Sequence, residues 1–145
     1  MKRQRILQLT SPGFILLLVL SLLSVSVMAL VSPQAVMDLV GVQLPNTDAF
    51  SSIRGEYGGA SLTLFISLFY LLRHNLRQGL GLLCLLWRFY ALSRLITIYT
   101  EDALGAFGTQ WLITEGVFFG IAASLLYFSQ KQVLLQNINE YGSRR

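Results

Sequence analysis

The sequence has few charged residues and a single cysteine. Only 12% of its 145 residues are charged, whereas 54% are hydrophobic, and the mean hydropathy is +0.59. So little charge cannot cover the surface of a water-soluble domain of this size, which indicates a membrane protein. Because Cys84 is alone, an intrachain disulfide is excluded.

Motifs that carry catalysis or bind cofactors are also missing. The sequence contains no HExxH, CxxC, P-loop, GxSxG or Rossmann fingerprint. His74, the one histidine, has no second metal ligand near it in the sequence. The formal charge of +4 comes from short basic clusters between apolar runs and not from a basic face, which argues against nucleic-acid binding. We expect no metal and no cofactor, and we favour a binding or structural protein over an enzyme.

Four apolar runs are candidates for membrane spans, since about 20 helical residues cross the hydrocarbon core. The first run also fits a secretory signal peptide, but its 18 uncharged residues from Phe14 to Val31 exceed the usual ~7 to 15, so we favour a retained helix. The prediction is an all-α, integral membrane four-helix bundle forming a single domain over residues 1–145. The predicted spans are residues 13–31, 56–72, 79–99 and 107–128, followed by a cytoplasmic tail of residues 129–145.

Basic residues are distributed unevenly around these runs. Arg88 and Arg94 lie within a span, and Arg54 is predicted to lie on the outer side of the membrane. The remaining eight of the eleven basic residues flank the runs on one predicted side of the membrane, and positive charge favours the cytoplasmic side. We therefore expect both termini to be cytoplasmic, in a bacterial inner membrane. The eight residues are Lys2, Arg3, Arg5, Arg73, Arg77, Lys131, Arg144 and Arg145.

The segment between the first two runs, residues 32–52, is bounded by breakers that include Pro33 and Pro45. The apolar residues between these prolines predict a short helix from Gln34 to Val40 lying along the outer membrane interface. Such a segment serves as a cover over the bundle or as a lid over a ligand, and the pattern favours the cover.

Charges inside the spans indicate a site. Arg88 and Arg94 lie in the third run and Glu115 in the fourth, where an unpaired charge costs several kcal/mol. Arg54 and Glu56 enter the second run from the same side. We expect Arg94 and Glu115 to meet these two in the outer half of the bundle, above Arg88. Three arginines against two glutamates leave a positive charge that a small anion, a lipid headgroup or an amphipathic molecule can satisfy.

Glycines recur at four-residue spacing on the second and fourth runs. Gly55 and Gly59 form one small-residue stripe, and Gly116 and Gly120 form another, so we predict close helix packing at both. The first stripe also weakens the start of its helix and favours a partly unwound turn.

The order of these residues resembles a family of small four-helix bacterial membrane proteins, the domain of unknown function 4345. The resemblance covers residues 14–128, supports a retained first helix and brings no activity with it. It implies that the family's polar cluster contains the arginine, tyrosine and two glycines of an Arg-x-x-Tyr-Gly-Gly element, a later arginine and a glutamate. In this sequence these residues are Arg54, Tyr57, Gly58, Gly59, Arg94 and Glu115.

Three functions remain open at this point. The first is a bundle that binds a lipid or a small anionic or amphipathic molecule at the polar cluster. The second is a structural or accessory subunit whose charges only fix the packing of its helices. Such a subunit acts alone in the bilayer, as a homo-oligomer or with a membrane partner. The third is a membrane-embedded enzyme with Glu115 as acid or base, or a redox partner, the latter suggested by similarity in size and helix count to DoxX-like proteins.

Overall fold

The computed structural model describes the backbone of residues 2–143 and the side chains of residues 11–131. Within that range the chain is helical and has no strand, which confirms the all-α prediction. The helices are α1 (Lys2–Val31), α2 (Pro33–Asp38), α3 (Thr47–Ile53), a π-helix (Arg54–Ala60), α4 (Ser61–His74), α5 (Leu76–Thr100) and α6 (Ala106–Ser143).

Three of these helices contain segments long and apolar enough to cross a membrane. The segments are Ser11–Val31 in α1, Leu76–Thr100 in α5 and Ala106–Lys131 in α6. Each coincides within a few residues with a predicted span, because an uncharged run of about 20 residues is a strong helical indicator. These three segments indicate a membrane protein.

The fourth predicted span, residues 56–72, has a different structure from the other three. It begins inside the π-helix and continues into α4, whose 14 residues rise about 21 Å, less than the core thickness of ~30 Å. Together with α3, the segment is helical from Thr47 to His74, but it is not one uninterrupted α-helix. The four-helix bundle stays a prediction.

A proline and two asparagine caps mark the starts of three helices. Pro33 stands at the first position of α2, immediately after α1 ends, and its missing N–H costs nothing there. The side chains of Asn46 and Asn75 cap α3 and α5 by accepting hydrogen bonds from Ala49 and Gln78.

The chain divides into two compact units, and we describe each by itself. One unit is Pro12–His74. The other contains the chain from Asn75 onward together with the residues before Pro12. In the latter, α5 and α6 pack against each other as an antiparallel hairpin joined by the short loop of residues 101–105.

The predicted orientation rests partly on charges outside the described side chains. These are Lys2, Arg3, Arg5, Arg144 and Arg145. The cytoplasmic placement of both termini stays a prediction.

Candidate functional site

A buried ion pair joins the two helices of the α5–α6 hairpin. Arg94 Nε donates a hydrogen bond to Glu115 Oε2 at 2.8 Å, and Arg94 Nη2 donates to Glu115 Oε1 at 2.9 Å. It is the one ion pair among the side chains of residues 11–131. Two parallel charge-assisted bonds fix the guanidinium in the plane of the carboxylate, which a single contact does not do.

The two partners of this pair differ in burial. The Glu115 side chain is 2% exposed, whereas the Arg94 side chain is 23% exposed. Both carboxylate oxygens are occupied by the pair, but a guanidinium has five N–H donors and the pair uses two of them. The site therefore presents remaining arginine donors on its accessible side and keeps the glutamate inside.

Helix geometry places the pair away from the middle of both helices. Arg94 lies six residues before Thr100, the last residue of α5, which corresponds to about 9 Å along the axis. Glu115 lies nine residues after Ala106, the first residue of α6, or about 14 Å. Both distances are measured from the end of the hairpin that carries the connecting loop, so the pair lies in that half of the hairpin.

An aromatic contact lies in the same interface between α5 and α6. The rings of Trp87 and Phe118 are 5.1 Å apart and tilted by 60°, a favourable aromatic geometry. Trp87 Nε1 is buried and has no hydrogen-bond partner among the described residues. An indole N–H without an acceptor is costly, and no pattern in the sequence indicated it.

Arg88 is the second arginine of α5, one and two-thirds turns before Arg94. Its side chain is exposed and makes no ion pair within residues 11–131. At ~100° per residue it lies ~120° around the helix from Arg94, and Ala91 and Leu95 occupy the arc between them. Leu95 is 52% exposed. The arc between the two arginines thus carries one exposed aliphatic side chain, Leu95, beside the half-buried Ala91.

A groove on the hairpin lies apart from the ion pair. A shallow apolar groove of about 340 Å³ is lined by none of the three arginines of α5. It runs along an apolar side of α5. Its lining residues are Leu82, Leu85, Leu86, Phe89, Tyr90 and Ser93.

In the Pro12–His74 unit, the element Arg-x-x-Tyr-Gly-Gly forms the π-helix Arg54–Ala60. Such helices are rare and frequently occur at functional sites. We predicted a partly unwound turn here; the backbone is irregular as expected, but the helix is widened and not unwound. Arg54 Nε donates a hydrogen bond to the carbonyl oxygen of Leu30 at 3.1 Å, and thus satisfies one of the last carbonyls of α1.

Gly58 is the point of closest approach between the π-helix and α1. A Cβ atom at this position would lie 2.7 Å from Leu30 Cδ2 and 2.8 Å from Leu30 Cγ, so any side chain here requires Leu30 to shift. The buried hydroxyl of Ser26 donates a hydrogen bond to the Gly58 carbonyl oxygen at 2.8 Å. Sequence reasoning missed Ser26, because a serine within an apolar helix usually bonds its own backbone.

All four glycines of the predicted stripes have open space beside them. A Cβ atom at Gly55, Gly59, Gly116 or Gly120 would meet nothing within 4 Å among the described residues. Among the glycines expected to pack, Gly58 makes the close contact within this chain. A packing role for the other four stays a prediction.

The structure brings together some of the predicted site residues. Arg94 contacts Glu115, and Arg54 contacts α1. Glu56 and Tyr57 are exposed on the π-helix, in the unit that does not contain the ion pair. A single cluster of all six polar residues stays a prediction.

Comparison with known proteins places these features in a family. A domain of unknown function, DUF4345, matches residues 12–127, which include both the π-helix and the ion pair. The chain belongs to the DUF4345 family. No curated protein and no solved structure matches it. The similarity to DoxX-like proteins stays a prediction, and the DUF4345 match assigns no activity to the pair.

Proposed function

We propose that this DUF4345 protein binds the headgroup of a small anionic or amphipathic molecule at Arg94, in the outer half of a bacterial inner membrane. The observation that carries the proposal is the asymmetry of the ion pair: Glu115 is buried, while Arg94 is about a quarter exposed and keeps unused donors. A carboxylate that holds an arginine in one orientation prepares it for an anion, because the ordering cost is already met.

The surroundings of the pair favour an amphiphile over a free inorganic anion. Arg94 and Arg88 border the arc of Ala91 and Leu95, and Leu95 and Ile98 are both more than 40% exposed. A negatively charged headgroup would contact Arg94, and an acyl chain would extend from it past Ala91 toward the middle of α5. The pair itself is neutral, so Arg88 supplies the surplus positive charge.

A structural brace is the competing function, and the same pair supports it. Both oxygens of Glu115 are used by Arg94, which is all that a packing role needs. Buried pairs often contribute specificity of packing more than stability. Replacing both residues by apolar ones separates the two functions, because a brace becomes dispensable whereas a binding site is lost.

The test is ligand-induced stabilisation of the purified protein in detergent. Short-chain phosphatidylglycerol is compared with phosphatidylcholine of the same chain length and with inorganic phosphate. At ten times its Kd, phosphatidylglycerol should stabilise the wild type by about 1.4 kcal/mol. The variant Arg94→Met with Glu115→Leu should lose this response. The control Arg77→Met with Glu101→Leu removes the same charges at exposed positions and should retain it.

Each arm of this experiment decides between two interpretations. Equal stabilisation of the wild type and the Arg94/Glu115 double variant by phosphatidylglycerol would leave the pair as a brace. Stabilisation by inorganic phosphate alone would identify a free anion as the ligand and not a lipid.

We further propose four spans with both termini in the cytoplasm. The segments Ser11–Val31, Leu76–Thr100 and Ala106–Lys131 supply three, and residues 56–72, which lie within the helical run from Thr47 to His74, supply the fourth. Support comes from the excess of basic residues flanking the predicted cytoplasmic ends. A reporter enzyme that is active only in the periplasm, fused after Arg145, should stay inactive; activity would contradict the orientation.

A further inference from the structure

The turn that follows α2 exposes aliphatic side chains close together in the chain. Leu39, Val40 and Val42, here called the apolar turn, are 56%, 50% and 47% exposed. Three large aliphatic side chains within four residues are unusual on a surface that faces only water.

The backbone of the apolar turn satisfies its own hydrogen bonds. Gly41 has a φ of +71°, the left-handed conformation that favours glycine. Its N–H donates to the Asp38 carbonyl at 3.2 Å, and the Val42 N–H donates to the Met37 carbonyl at 3.1 Å. This is the Schellman arrangement of a helix C-terminus. The turn therefore presents apolar side chains without exposing unpaired backbone N–H groups, which lowers the cost of leaving water.

Gln34 holds the turn in place and binds the exposed carboxylate of Asp38 beside it. The Gln34 Nε2 donates to Asp38 Oδ1 at 2.7 Å and to the Val42 carbonyl at 2.8 Å, while its Oε1 accepts from the Leu44 N–H at 2.9 Å. Gln43 Nε2 also donates to Asp38 Oδ1, at 3.4 Å. The carboxylate is thus bonded within the loop.

The position of the apolar turn is fixed relative to the end of a membrane span. Ala29 of α1 is buried in a cluster with Val36 and Met37 of α2, which anchors the short helix to the last turn of α1. The candidate span Ser11–Val31 ends one residue before α2 begins, and Val31 is 76% exposed. Continuity of the chain therefore places the apolar turn at the level where this span leaves the hydrocarbon.

From this placement we propose that the apolar turn is an interfacial anchor that inserts Leu39, Val40 and Val42 into the lipid surface beside α1. The partner is the bilayer itself, at the boundary between headgroups and acyl chains. The absence of basic residues from 32–52 means that the attraction is apolar and not electrostatic. This inference is independent of the Arg94 site.

Spin labelling tests the anchor in the full-length protein reconstituted in phosphatidylcholine vesicles. With Cys84→Ala as background, a nitroxide is attached at Val40→Cys or, independently, at Val42→Cys. The ratio of collision rates with oxygen and with a water-soluble nickel complex reports depth. Because Leu17→Cys lies within the span and Thr47→Cys on an exposed polar helix start, these two labels provide the lipid and water references.

The anchor predicts that the oxygen-to-nickel ratio at Val40 and Val42 is severalfold higher than at Thr47 and approaches that at Leu17. Ratios equal to that at Thr47 would place the turn in water and overturn the proposal. Spectral broadening that disappears on dilution with unlabelled protein would show that a second copy covers the turn, which would also overturn it.

Discussion

Removing the carboxylate of Glu115 is the perturbation with the largest expected effect on stability. In Glu115→Gln the shape is retained, but Arg94 loses its counter-charge in a site where the glutamate side chain is only 2% exposed. The amide oxygen can accept one of the two N–H bonds that the carboxylate accepted. The guanidinium then lies in a low dielectric with an unpaired charge.

The expected loss can be estimated from the geometry. Breaking a buried pair by removing one partner costs roughly 3 to 5 kcal/mol. Since the Arg94 side chain keeps 23% of its surface exposed, it can turn partly toward a more polar environment, and we expect about 3 kcal/mol, the lower end. Replacing both residues, as Arg94→Met with Glu115→Leu, removes the charges together and should come within about 1 kcal/mol of the wild type.

The assay is the free energy of unfolding in mixed micelles, with the sodium dodecyl sulfate fraction as denaturant. Glu101→Gln, an exposed glutamate at the end of α5, is the matched control and should change little. A Glu115→Gln variant as stable as this control would refute the reasoning, because it would mean that the pair is not desolvated in the membrane. A double variant as unstable as Glu115→Gln would show that the packing of α5 against α6 requires the ion pair itself, and not only the absence of an unpaired charge.

Two further predictions concern the contact between α1 and the π-helix. Gly58→Ala should destabilise the protein by about 1 to 3 kcal/mol, because the added Cβ must displace Leu30. The control Gly59→Ala places its Cβ in open space and should not destabilise it. Chemical unfolding measures both variants, and equal effects would contradict the close contact. Arg54→Met should lower the free energy of unfolding by about 1 kcal/mol, because it loses the hydrogen bond to the Leu30 carbonyl. The control is Arg77→Met, since the Arg77 side chain is exposed. Equal stability of these two variants would mean that Arg54 does not stabilise the end of α1.

The sequence predicted the parts of the fold that depend on long, uniform patterns. The apolar runs of α1, α5 and α6 indicated their bounds within a few residues, because length and hydropathy determine what can cross a bilayer. The pairing of Arg94 with Glu115 was predictable for a related reason: charges in neighbouring apolar helices are costly unless they meet.

Local backbone geometry was harder to predict. Three glycines within five residues indicated an irregular helix at residues 55–59, but not that it would widen into a π-helix. Gly58, and not Gly59, contacts α1. Which glycine makes this contact depends on the angle at which α1 crosses the π-helix, and the four-residue spacing of Gly55 and Gly59 does not determine that angle. For the same reason, the sequence does not indicate the partner of Arg54, which is a backbone carbonyl at the end of α1.

The central claim is that the guanidinium of Arg94, held by Glu115, receives an anionic headgroup. The most direct measurement is the ¹⁵N chemical shift of the Arg94 Nε–H group during titration with short-chain phosphatidylglycerol, with the resonance assigned by its loss in Arg94→Lys. We predict a saturable shift of this resonance that phosphatidylcholine does not produce and that Glu115→Gln weakens. A titration that moves only the resonances of exposed arginines such as Arg77, while that of Arg94 stays in place, would contradict the account.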